Sequence, residues 1–228
     1  MWPESISSWW QANERLTFLL IDALGETLIM VFASGLIGFA IGIPVGVALH
    51  LTKDNGLLEN RNLNKVLGTV TNIGRSIPFI ILLVAIIPFT RFVVGSSIGT
   101  AAAIVPLTVG AIPFIARLVE GALLEVPTGL VEAAQAMGAT PSQIISKVLL
   151  PEALPGIINA VTITLVTLVS YSAMAGTVGG GGLGDVGIRY GYQRFDGTVM
   201  LITVIMLVVL VQLIQSVGDY MVKRADHR

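Results

Sequence analysis

The sequence predicts an all-α, polytopic membrane protein with five transmembrane helices, and three observations carry that prediction. Hydrophobic residues make up 54% of the 228 positions and charged residues only 12%, and the mean hydropathy is +0.85, far from an ordinary soluble domain. Residues 27–52, 92–116, 153–184 and 197–218 contain no Asp, Glu, Lys or Arg, and each is long enough for the roughly 20 helical residues that a bilayer core requires. Finally, basic residues divide unevenly between the two sides that five crossings define. Arg15, Arg91, Arg189 and Arg194 fall on one side and the remaining nine of 13 on the other. The positive-inside rule then puts the N-terminus in the periplasm and the C-terminus in the cytoplasm.

The first span is expected over about 22–51. It carries Gly38, Gly42 and Gly46, a small-xxx-small stripe that lets another helix backbone approach closely. Pro44 beside the stripe is expected to bend the helix. Arg15 precedes only a short apolar run before Asp22, so no cleavable signal peptide is expected. The second span is the least regular, because the uncharged window 76–90 is short. Starting it near Val66, with Arg75 reaching towards water, gives a span of about 66–91. Pro78 and Pro88 lie in it, and Pro106 and Pro113 lie in the third span, about 99–121. We expect bends at Pro78 and Pro106, with Ser76, Thr90 and Thr108 supplying hydroxyls to the carbonyls that proline frees.

The connection 122–152 is too long for a turn and has helical signals of its own. Thr128 is expected to cap a helix in which Leu130, Ala134 and Met137 share a face and Glu132 favours the N-terminal dipole. Gly138 should end it in a left-handed stop. Thr140-Pro141-Ser142-Gln143 reads as a capping box with proline at the first helical position, so a second helix should run 142–150 and stop at Pro151. The result is a cytoplasmic two-helix knob. One lysine in the segment is too few for a membrane-surface helix or a DNA reader, which leaves docking into a groove of a partner protein.

The fourth span, about 153–177, contains Ser170-Tyr171-Ser172-Ala173-Met174. Polar groups at that depth should face protein or a water-filled pathway, so Ser170, Tyr171, Ser172 and Met174 are candidate pathway and gate residues, Met174 being able to repack at a constriction. The fifth span, about 196–222, is aliphatic nearly throughout and is assigned to lipid contact and packing.

Several motifs that look chemical fail on context. Gly179, Gly181 and Gly184 match G-x-G-x-x-G, but a membrane helix precedes them where a strand is required; the run reads as an outer-side hinge or close-approach loop. No phosphate-loop motif occurs. Gly95-Ser96-Ser97-Ile98-Gly99 matches G-x-S-x-G, yet Ser97 and His50 belong to opposite membrane sides and His227 is also distant, so no base reaches the serine. No catalytic, cofactor or metal residue is assigned: cysteine is absent and the two histidines are far apart. The charge of −1 argues against nucleic acid.

Glu132-Ala133-Ala134, Gly138, Val148 and Leu150-Pro151, at their spacing before the last two spans, resemble the EAA loop of ABC importer permeases. Arg75-Ser76-Ile77-Pro78-Phe79-Ile80, Ile104-Val105-Pro106-Leu107-Thr108-Val109-Gly110 and 138–156 look like signatures of methionine importer permeases. The resemblance implies a single permease domain over 1–228, in the inner membrane of a bacterium; residues 1–16 fall outside it. It also implies that Glu132, Ala133, Ala134, Gly138, Ala139, Thr140, Leu150 and Pro151 couple to a separate ATPase. The implied partners are a second copy of the chain, two ATP-binding subunits holding ATP and Mg, and a substrate-binding lipoprotein outside. A methionine matching Met174 helps close the pathway in such proteins. The function implied is import of D- and L-methionine by alternating access, without enzymatic activity in this chain. The alternatives are another small amino acid, a methionine derivative or a short peptide, or a stand-alone secondary transporter. The last would need an intramembrane ionisable residue, and none is expected centrally within a span.

Overall fold

In the computed structural model, residues 14–226 are described; His227, Arg228 and the first thirteen residues lie outside them. Among the described residues, four helices are long and apolar enough to cross a membrane, and a pair bent by 100° makes a fifth if the two helices are counted as one span. The first, α1 (Glu14–Thr52), is 39 residues long and starts before the expected span, with Asp22 and Glu26 inside the continuous helix. After it come α2 (Arg61–Ser76), α3 (Phe79–Ala85), α4 (Ile87–Val94) and α5 (Thr100–Leu124). A short-helix insertion follows, then α9 (Leu154–Gly176), a second insertion, and α11 (Gly197–Ala225).

The core seam joins α1 to α5, and the glycine stripe makes it. A Cβ on Gly42 would lie 2.8 Å from Ile115, and one on Gly46 would lie 2.5 Å from the Ala116 carbonyl. The side chains of Ile115, Ala116 and Val119 are fully buried against these notches. Without a solvent-driven hydrophobic effect between membrane helices, such close van der Waals contact is the main source of association.

The second span departs from expectation. α2 and α3 meet at an angle of 100°, so residues 66–76 do not run on in line with the helix that begins at Phe79. The cause is local: Ile77, the residue before Pro78, is forced to extended backbone (φ −82°, ψ 120°). α2 instead lies against α1 and α5, tied by polar contacts. Asn64 Nδ2 donates to the Leu49 carbonyl at 2.7 Å, and Arg117 Nη2 donates to Asn72 Oδ1 at 2.6 Å. Arg117 also pairs with Glu120 at 2.5 Å. α5 runs without interruption through Pro106 and Pro113. The hydroxyls expected to serve proline-freed carbonyls do not: Ser76 donates to Asn72 of its own helix, while Thr90 and Thr108 Oγ1 are buried without a partner.

The insertion between α5 and α9 contains α6 (Thr128–Ala136) and α7 (Pro141–Ile144), which passes through a π-helical turn (Ile145–Leu149) into α8 (Leu150–Glu152). The insertion between α9 and α11 contains α10 (Gly182–Val186) and a second π-helical turn (Gly187–Tyr192).

Candidate functional site

Two places gather the residues singled out above, one between α9 and α11 and one in the first insertion. The first is a cavity of about 590 Å³ walled by the C-terminal end of α9, by α10 with its π turn, and by α11. Helical spacing divides the polar cluster of α9 between two faces. Ser170, Met174 and Thr177 line the cavity, whereas Tyr171 stacks on Phe79, ring centroids 4.3 Å apart and planes within 4°. Ser172 is buried and donates to its own helix at Val169. Tyr171 thus braces α9 against the start of α3, beside the Pro78 break. α11, expected to meet lipid and neighbours only, supplies much of the wall through Met200, Thr203, Val208 and Gln212.

The α10 side of the cavity is built by close approach. After Gly176 the chain turns through Gly179, Gly181 and Gly182, at φ +86°, +81° and +79°, conformations that side chains with a Cβ rarely adopt. The chain then re-enters the helix bundle, and Leu183 is fully buried. α10 has no cap from its own N-cap residue. Its first N–H groups are satisfied from α1: Gly182 N–H donates to Glu26 Oε2 at 2.6 Å and Leu183 N–H to Thr27 Oγ1 at 2.9 Å. Thr27 in turn donates to the Ala23 carbonyl at 3.0 Å. Sequence reading missed Glu26: it falls within the expected first span, but its contact spans 156 positions and leaves no local signal.

The knob differs from expectation in three details. Pro127, not Thr128, precedes α6, and no side chain caps it. Met137 points outward at 81% exposure while Ala134 is buried, so the expected shared face is split. Pro151 does not end the second helix: the π turn before it absorbs the missing N–H, and α8 continues to Glu152. The corner is as its sequence suggests. Gly138 is left-handed at φ +77°, and the N–H groups of Gly138 and Ala139 return to the carbonyls of Gln135 and Ala134, a Schellman stop. Thr140 and Gln143 form the reciprocal capping box. Glu132, Ala133, Gly138, Thr140 and Pro151 are exposed, and Ala139 and Leu150 are half-buried. Glu132 and Gln135 also border a cavity of about 240 Å³ shared with His50 and Lys53 at the end of α1. His50 Nδ1 is buried there without a hydrogen-bond partner. Ser97 accepts from Arg91 Nε at 3.1 Å, a contact with a cation and not with a base. No cluster of three or more metal-binding side chains exists among the described residues.

Residues 38–227 match the family described as binding-protein-dependent transport system inner membrane component. The chain is 68% identical over 224 residues to a probable D-methionine transport system permease protein MetI of Vibrio cholerae, covering 98% of each. It is 63% identical over 164 residues to D-methionine transport system permease protein MetI of Escherichia coli K12, covering 72% of this chain and 76% of the relative. Among solved structures it resembles the MetNI methionine ABC transporter in an inward-facing conformation, with TM-score 0.92, 59% identity, and 94% and 99% of the two chains covered. An amino acid ABC transporter with histidines, at 18% identity and TM-score 0.78, shares the fold. The chain therefore belongs to the membrane components of binding-protein-dependent transport systems.

Proposed function

We propose that this chain forms the substrate pathway of an ATP-driven methionine importer. The observation that carries the proposal is its 68% identity, over nearly its whole length, to a probable D-methionine permease. Two copies pair so that their α9 and α11 faces enclose the pathway. That choice of face has a physical reason: Ser170, Thr177 and Gln212 are exposed beside the cavity, and polar groups at membrane depth should meet water or protein and not lipid. The exposed side of α1 carries Phe18, Ile21, Ile29, Phe32 and Leu36 and suits hydrocarbon. The Glu14 end of α1 faces the periplasm, where a substrate-binding lipoprotein delivers methionine. The knob at 122–152 faces the cytoplasm and docks in a groove of a separate ATP-hydrolysing subunit. Exposed Glu132, Gly138 and Met137 suit that role, as does the lack of a phosphate-loop motif in the chain.

Closure of the two ATPase subunits draws the knobs together, and the spans rock so that the cavity exchanges its inner opening for an outer one. Selectivity lies mainly in the binding protein, since the cavity offers few polar groups. The test is uptake by the complex reconstituted with its ATPase subunits and the methionine-loaded binding protein. ATP-dependent entry of methionine is expected. Full transport without the ATPase, or equal entry of unrelated small amino acids through the same binding protein, overturns the proposal.

A further inference from the structure

The re-entrant α10 is held in place by α1, at a cost that packing alone does not require. Glu26 is a half-buried ionisable residue twelve positions into α1, directly before the uncharged window 27–52, and a carboxylate taken from water is costly unless it is hydrogen-bonded. Among the described residues its hydrogen-bond partner is a backbone group, the N–H of Gly182. A Cβ on Gly181 would lie 2.6 Å from the same carboxylate oxygen, so the turn is shaped to let that oxygen in. Behind it, the π turn at Gly187–Tyr192 is a ready place for the backbone to flex. Leu183, Gly184 and Ile188 of this segment line the cavity together with α9 and α11.

We propose that Glu26 is the positioning residue of an outer gate formed by α10. With the Gly182 N–H bonded to Glu26, α10 seats against α1 and the cavity is closed at its Glu14 end. When α1 and α9 move apart the bond is lost, α10 swings about the π turn, and the pathway opens outward. The inference rests on the reading of the cavity as the pathway. A contact made only in the closed arrangement sets part of the equilibrium between closed and open, so its removal shifts the population towards open.

The chain contains no cysteine, and Val208 of α11 lines the cavity midway along the helix, so Val208→Cys provides a reporter deep in the pathway. The complete complex in vesicles is treated from outside with a membrane-impermeant maleimide, and modification of this chain is read by mass. Without nucleotide, adding Glu26→Ala is expected to raise the labelling rate about tenfold or more over Val208→Cys alone, the scale of a hydrogen bond to a charged group. Glu26→Gln, whose amide oxygen still accepts from Gly182, should stay within about twofold. Thr27→Val, which removes the neighbouring acceptor and keeps the shape, should give roughly threefold.

Labelling of Glu26→Ala and Thr27→Val at the parent rate overturns the inference, as does a Glu26→Gln rate equal to that of Glu26→Ala. If Glu26→Ala does not assemble, Thr27→Val decides alone. A reporter that is refractory even in the complex trapped with ATP and vanadate overturns the pathway reading and this inference with it. A reporter labelled in that trapped state, but indifferent to Glu26→Ala and Thr27→Val, removes the gate and leaves the pathway.

Discussion

The two insertions that flank α9 solve the same structural problem in opposite ways. Each reverses the chain through a left-handed glycine and restarts it as a short helix broken by a π turn. The knob between α5 and α9 satisfies its turn from within: Gly138 returns to Gln135, and Thr140 and Gln143 cap each other. A Cβ on Gly138 would meet nothing within 4 Å. The insertion between α9 and α11 borrows its acceptors from α1, and its glycines are hemmed in by Thr27, Met30 and Glu26. A self-capped unit keeps its shape when a partner moves it. A unit capped by another helix keeps its place only while that helix stays. The difference fits the proposed roles of handle and gate.

The largest effect that tests this contrast is expected at Gly182. Gly182→Ala puts a Cβ 2.7 Å from Thr27 Oγ1 at φ +79°, which should cost roughly 2–4 kcal/mol; a lowered thermal midpoint of the purified chain checks it. At Met137, 81% exposed on the knob, Met137→Ser should leave that midpoint in place. It should weaken ATPase-subunit binding by about 1–3 kcal/mol, the range of an interface anchor, measured by titration. Thr140→Ala removes one half of the capping box and should cost about 1 kcal/mol, confined to the knob and read as faster amide exchange near Ile144. The smallest change is expected for Gly138→Asn, about 1 kcal/mol or less, since asparagine tolerates the left-handed region and the site is open. Equal losses for Gly182→Ala and Gly138→Asn would erase the distinction between the two turns.

Legibility followed the same division. The knob's corner could be read because every signal lies within four residues of its effect: glycine, threonine, proline and glutamine in a row. The long apolar windows gave the other spans for the same reason of locality. At the second span a proline signals a bend and a break alike, and Pro78, through extended Ile77, ends α2 altogether. Ser170 and Met174 adjoin Tyr171 and Ser172 in sequence, which hides that they lie on different faces. The spacing of Ser170, Met174 and Thr177, at i, i+4 and i+7, marks one face of a helix and would have separated them. The bond from Glu26 to Gly182 left no local trace, because both residues are ordinary in their own segments and only the packing of α10 on α1 brings them together.

The notched seam between α1 and α5 also bears on how the chain is made. Gly38, Gly42 and Gly46 are covered by Ala111, Ile115 and Val119, which are synthesised long after the first helix has been threaded towards the bilayer. Until then the notches face lipid or the insertion machinery, with nothing to grip, and the irregular α2–α4 stretch must be accommodated meanwhile. α5 thus acts as the clasp that completes the first half of the molecule. A ribosome stalled before Val119 would leave α1 in the membrane as a loose post.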